Sequence, residues 1–365
     1  MVDVLDRARR IADDVLFPAA LRVESGPGVP REHLDLLAAE GFYGLPAPAE
    51  VGGLGVTDLP TAARVVEILA DGCLTTTFVW LQHLASVRAV AASDRPGIRD
   101  TWLVPLATGR RRAGVVQAAL RPGPPTVRAT GYDGGYLFDG DAQWVTGWGM
   151  IDTLYAAARD EHGALVWALL DAVPDDSLRI ETLDMAVLSA SRTVTARFVS
   201  HLVPRARVVA VVPGEDWSRQ PAAGLRMNGS LALGVAARCC TLLGPGPFDA
   251  ALDECRAALD AAAAPDAQPG ADDATAHARA DGATVRAPAD EAMARARAAA
   301  SDLALRAAAA LAVGTGARAV RVDQHAQRLL REALFLLVFG SRPAIRAALL
   351  DRLTGGAGGT ASTRA

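Results

Sequence analysis

The order in which hydrophobic periodicity changes along the chain constrains its fold most. Apolar residues recur at helical spacing up to about Arg112, alternate in strand fashion from about Ala113 to Arg219, and return to helical spacing from Pro221 onward. Few large folds wedge a β-domain between two helical ones. The expected architecture is α+β and multidomain. It has an N-terminal helical domain over 1–112, a central β-sandwich or barrel over 113–219, and a C-terminal helical bundle over 220–355. An irregular, disordered insert is expected near 265–288, where Ala, Asp, Gly and Pro dominate, and a frayed Gly/Ala/Thr-rich tail over 356–365. With 365 residues, 51% of them hydrophobic, the chain has enough apolar surface for a large core.

Local signals fill in this frame. Arg31–Leu37 carries a helical pattern that stops at Gly41, and Pro60–Ala70 reads as a helix with proline in its first turn. Thr75–Ala92 has so few charges that a buried helix is expected. Thr126–Thr130 alternates, meets a Gly-Tyr-Asp-Gly-Gly turn, and continues into Tyr136–Asp139 as a hairpin. Leu154–Ala158 and Ala164–Leu170 form a second hairpin around Asp160–Gly163, and Arg192–Val199 alternates again. Beyond Pro221, helices are expected over Leu225–Leu243, Asp249–Ala262, Asp290–Val313 and Asp323–Phe339. The last ends at Gly340, suited to a left-handed cap, before Ser341 and Pro343 start another helix.

Composition excludes several functions. A net charge of −4 and a pI near 5.9 argue against a nucleic-acid partner, which needs a basic excess. Every basic residue is Arg, with no Lys at all; this reads as codon bias from a GC-rich genome. Cys73, Cys239, Cys240 and Cys255 match no metal-site spacing and are expected as buried thiols of a reducing compartment. The six histidines show no ligand spacing, so no metal is expected. Met1–Arg10 lacks the apolar core of a signal peptide, and Arg306 and Arg331 break the longest apolar runs, so no membrane span and a cytoplasmic location are expected. No nucleophile elbow, P-loop or GxGxxG loop is present.

A set of short motifs then gains meaning from its order. These are Gly41-Phe42-Tyr43-Gly44-Leu45, Pro48-Ala49-Glu50-Val51-Gly52-Gly53-Leu54-Gly55, Glu67–Ala70, Trp102–Gly109, Gln143-Trp144-Val145-Thr146-Gly147, Val203-Pro204 and Gln327–Ala333. In this sequence, from about residue 8 to 353, the set resembles the acyl-CoA dehydrogenase family. The resemblance implies FAD as cofactor and an acyl thioester as substrate. The implied reaction is CH–CH oxidation, with hydride passing to the flavin.

The resemblance implies that Trp144 covers one face of the flavin ring and that Thr146 hydrogen-bonds its N5, with Val145 between them. The same three residues also suit a core tryptophan beside a β-branched strand residue. Gln117 to Thr126 stands where the family has its Thr-Glu-Pro-x-x-Gly-Ser loop. Here Leu120 replaces the Thr and Arg121 the Glu, Pro122 is kept, and Thr126 falls at the Ser. Gln117, Ala119, Leu120 and Thr126 are thus the implied flavin contacts, through backbone N–H groups where side chains are lost. The family's Arg-x-x-Phe-Gly stretch is missing between Asp249 and Pro288, and its Gly-Gly-x-Gly survives only as Gly314-Thr315-Gly316. Arg328 and Arg331 sit on one side of a helix that in the family supports the site; a solvated basic face is the other reading.

The family's chemistry needs a carboxylate to remove the α-proton. Its usual Glu position is Gly340 here, and the alternative position, just before an Arg, is Leu225. No catalytic residue is therefore identified, while Arg226 and Phe339 fall at substrate-lining places by resemblance. Asp323 and Glu332 are nearby acids better suited to capping and pairing with Arg. The resemblance implies a homodimer or homotetramer through the C-terminal helices. The empty base positions leave two alternatives: a catalytically degenerate subunit of a hetero-oligomer, or a flavin-dependent monooxygenase.

Overall fold

The computed structural model describes residues 3–121, 123–213, 222–264 and 282–355. Its contacts divide into two units, one of residues 1–65 and 72–220, the other of 66–71 and 221–365. The first unit opens with helices α1 (Val4–Ile11), α2 (Phe17–Glu24) and α3 (Arg31–Ala39). Helix α4 (Leu59–Gly72), whose residues 66–71 count with the second unit, follows, started by Asp58, whose carboxylate accepts from the Thr61 N–H at 2.8 Å. Helix α5 (Leu74–Ala91) is buried along most of its length, including Thr75, Thr76, Thr77 and Trp80, as its lack of charge predicts. Helix α6 (Ile98–Ala107) then delivers the chain to the sheet.

Eight strands follow: β1 (Ala113–Val116), β2 (Val127–Tyr132), β3 (Gly135–Val145), β4 (Thr153–Arg159), β5 (Leu165–Asp171), β6 (Leu178–Thr182), β7 (Val194–Pro204) and β8 (Val208–Val212). They run in the order β6-β7-β3-β2-β4-β5-β8, with β1 parallel to β4. Strands β2 and β4 are paired only at Arg128 and Arg159, so two largely antiparallel halves share one core. Phe138 and Phe198 come to that core from one half, and Leu154, Val166 and Leu170 from the other. Both hairpins form where the sequence places them. The first turns on Asp133-Gly134, and in the second the Asp160 carboxylate accepts from the His162 and Ala164 N–H groups. The short strands β1, β6 and β8 carry no alternation long enough to read.

The expected division at residue 112 is not a boundary in packing. Val87, Trp102 and Leu106 from the helices share a core with Val115, Tyr155, Leu169 and Val209 from the sheet. His83 fastens the two layers: buried, it donates from Nε2 to the Leu106 carbonyl at 3.0 Å and accepts the Ala113 N–H at Nδ1 at 2.9 Å. That pairing needs a neutral ring, and burial holds its pKa down at about 3.

The second unit holds α7 (Ala222–Leu243), α8 (Pro247–Ala263), α9 (Gly282–Thr315), α10 (His325–Val338) and α11 (Pro343–Leu353). Helix α9 packs on the other four. It begins at Gly282, so the expected irregular insert is helical over 282–288; the rest of that insert and the expected tail lie outside the described residues. By length and composition alone Asp290–Val320 would pass as a membrane span, with a hydropathy of 1.3 in its most apolar 18-residue window, where the sequence leads to the expectation of none. Cys73, Cys239 and Cys240 are buried thiols in no disulfide.

Candidate functional site

In the first unit, the candidate site gathers at the end of β3. The β3–β7 register slips between Ala142 and Val145, a bulge that inserts one extra residue in β3. Within it Trp144 takes a left-handed backbone at φ 68°, costly for a bulky residue. The result turns its ring outward, 54% exposed, while Val145 returns to the core. The core-tryptophan reading of Trp144 is thereby excluded. Thr146 is buried, its hydroxyl 3.2 Å from that of Thr193, which in turn meets Ser191 at 2.8 Å.

Gln117 ends β1 exposed, and Ala118–Leu120 makes a short turn packed against β2, β3 and β4. The turn uses its own donors, because the Leu120 N–H bonds the Gln117 carbonyl and the Arg121 N–H that of Ala118. Ala119 is buried, Leu120 half-buried and Thr126 exposed; Pro122 lies outside the described residues. Arg159, one arginine among many in the sequence, holds this loop. Its guanidinium donates to the carbonyls of Ala119 (2.7 Å), Arg121 (3.1 Å) and Gly123 (3.0 Å). An exposed aromatic face such as that of Trp144 is a fitting platform for a planar ring.

In the second unit the two expected base positions carry no acid. Leu225 is buried on α7. Gly340 has φ 60°, so the left-handed cap there disfavours any side chain with a Cβ, glutamate included. Arg226 is fully buried and committed, with Nε 2.6 Å from Asp260 and Nη1 donating to Ser230 at 2.8 Å. Phe339 is half-buried and stacks on Phe335 at 5.2 Å. Arg328 and Glu332 form a buried pair at 2.5 Å, which excludes the solvated reading for Arg328. Asp323 pairs with the exposed Arg321.

One residue here escaped the sequence reading. Arg297 is 1% exposed, and its Nε and Nη1 have no hydrogen-bond partner among the described residues. Its Nη2 points at the Phe339 carbonyl 3.5 Å away. Burial lowers its pKa to about 10, so it stays cationic at neutral pH. A buried cation without a counter-charge costs several kcal/mol. In the sequence Arg297 sits in an Ala-Arg-Ala-Arg run that looks like an ordinary solvated face, so only packing reveals it.

The profile described as "Acyl-CoA dehydrogenase, N-terminal domain" matches residues 2–110. Benzylmalonyl-CoA dehydrogenase of Aromatoleum aromaticum is 25% identical over 242 residues, 64% of this chain and 64% of the relative. A 3-sulfinopropanoyl-CoA desulfinase of Variovorax paradoxus is 26% identical over 153 residues, 41% of this chain and 38% of the relative. The chain thus spans less than two thirds of the length of these curated relatives. Among solved structures, "PigA with FAD and proline" superposes with a TM-score of 0.77 at 19% identity, covering 97% of each chain. Butyryl-CoA dehydrogenase from Megasphaera elsdenii gives 0.76 at 17% identity, covering 98% of each. Residues 2–110 thus match the N-terminal domain of the acyl-CoA dehydrogenases, and the fold of the chain is the one these solved structures share.

Proposed function

We propose that the chain is a flavoprotein that binds FAD on the Trp144 face and processes an acyl thioester. The observation that carries this reading is the outward Trp144, held at a strained backbone on a bulge two residues before the buried Thr146. The residues on the ring side suit a flavin. Trp144 would stack on it, Thr146 would offer it a hydroxyl, and Gln117, Ala119, Leu120 and Thr126 would edge it. When bound, the flavin would supply hydride acceptance. The chain's own part is to fix that ring: Arg159 rigidifies the loop, and Thr193 and Ser191 orient the Thr146 hydroxyl.

Proton removal is the step the chain does not visibly supply. Gly340 and Leu225 offer no base, and Glu332 and Asp260 are engaged by Arg328 and Arg226. These facts favour a second reading, a subunit that keeps the fold while an active relative performs the oxidation. The name of the desulfinase relative denotes loss of sulfinate, so the family does not restrict its members to CH–CH oxidation.

An absorption spectrum before and after soaking with FAD tests the first reading. Flavin bands that Trp144→Ala and Thr146→Ala diminish support it. A flat spectrum after soaking removes it and leaves the silent subunit.

A further inference from the structure

We infer that Arg297 and Asn228 form a site beside Gly340 for a second anionic group, a carboxylate or sulfinate, on the acyl chain of the substrate. The inference rests on the acyl-thioester reading above and names a substrate class for it. Its starting point is geometric. A Cβ built on Gly340 would lie 3.3 Å from the Asn228 amide nitrogen and 3.9 Å from Nη2 of Arg297. Two donors therefore converge on the space that glycine leaves open. Gly340 is exposed and Asn228 half-buried, whereas the guanidinium behind them is buried.

The second observation is the orphaned charge. Nε and Nη1 of Arg297 meet no acceptor, and no carboxylate among the described residues offsets the cation. Buried guanidinium groups elsewhere in this unit are matched: Arg226 by Asp260, Arg328 by Glu332, Arg238 by Asp71. Arg297 is the exception, and it stands next to the residue that replaces the family's carboxylate. Nη2, the guanidinium nitrogen nearest Gly340, carries a second N–H besides the one aimed at the Phe339 carbonyl, and a guanidinium N–H matches an oxyanion better than a neutral alkyl tail. An anionic tail placed at Gly340 would also replace the lost counter-charge.

The test uses the full chain and two thioesters of similar size, succinyl-CoA and butyryl-CoA, by calorimetric titration. The wild type is expected to prefer succinyl-CoA by about tenfold or more, the equivalent of one charge-assisted hydrogen bond. Arg297→Met should abolish that preference while keeping butyryl-CoA affinity, and Arg297→Lys should retain part of it. Equal affinity for the two thioesters in the wild type, or a preference that survives Arg297→Met, overturns the anion site and leaves the thioester reading intact. If neither thioester binds, both fail together.

A second pair of variants decides the matter if Arg297→Met does not fold. Asp and Asn tolerate a left-handed backbone similarly and have the same shape, so Gly340→Asp against Gly340→Asn isolates the charge. Gly340→Asp is expected to melt about 2 °C or more above Gly340→Asn. No difference between them overturns the proposal.

Discussion

Single side chains carry opposite charge problems in the two units, and each makes a measurable demand. His83 is kept neutral by burial and by its two backbone partners, with a pKa near 3 in the folded chain against 6.5 in water. The unfolded chain takes up a proton below pH 6.5 and the folded chain does not. Stability from this residue is therefore complete above pH 6.5 and falls as pH drops toward 3, by about 1.4 kcal/mol per unit. Denaturant melts at several pH values should show this slope, and His83→Leu should flatten it. The same substitution strands the Leu106 carbonyl and the Ala113 N–H, at a cost of about 1–3 kcal/mol for each group. Glu67 is fully buried and grips Arg256 with both oxygens, at 2.7 and 3.2 Å. Glu67→Gln should destabilise by about 1.5 kcal/mol, the worth of a charge-assisted hydrogen bond, because the half-buried Arg256 keeps Asp253; an unchanged urea midpoint would refute this. None of these pairings was legible in the chain, since Glu67 appeared only as part of a motif and Arg256 as one arginine among many.

At the scale of elements, close approach decides more than propensity does. Gly234 in α7 lies against the end of α4, where an added Cβ would sit 2.5 Å from the Glu67 carbonyl oxygen and 2.7 Å from Ala70 Cβ. Gly234→Ala favours a helix in isolation but should cost about 1–3 kcal/mol through overpacking, with loss of melting temperature as the readout. The helices and both hairpins were legible because their periods run long enough to be counted and their turns carry Asp, Gly or Pro. Strands β1, β6 and β8 were not, because four or five residues show no period and pairing with distant strands creates them. The bulge in β3 was equally silent. Its extra residue exists only against the register of β7, and without it Trp144 would read as one more apolar residue of a strand.

For the whole molecule, the proposed flavin binding predicts a linked stability. A ligand held only by the folded state at a hundred times its dissociation constant adds about 2.7 kcal/mol. FAD should therefore raise the melting temperature of the wild type and raise it less, or not at all, in Trp144→Ala; equal shifts in both would remove Trp144 from the site. The order helices–sheet–helices, the likeness to acyl-CoA dehydrogenases and the lack of an acid at residues 225 and 340 were all legible in the chain. These depend on residue identity and on periods that local chain geometry imposes. Tertiary packing alone turns Trp144 outward, brings Arg159 onto the carbonyls of Ala119, Arg121 and Gly123, carries the helix-to-sheet core across the expected line at residue 112, and buries Arg297 with no counter-charge among the described residues. Each of these depends on which distant residues pack together, and an arginine among alanines looks the same in sequence whether water or protein surrounds it.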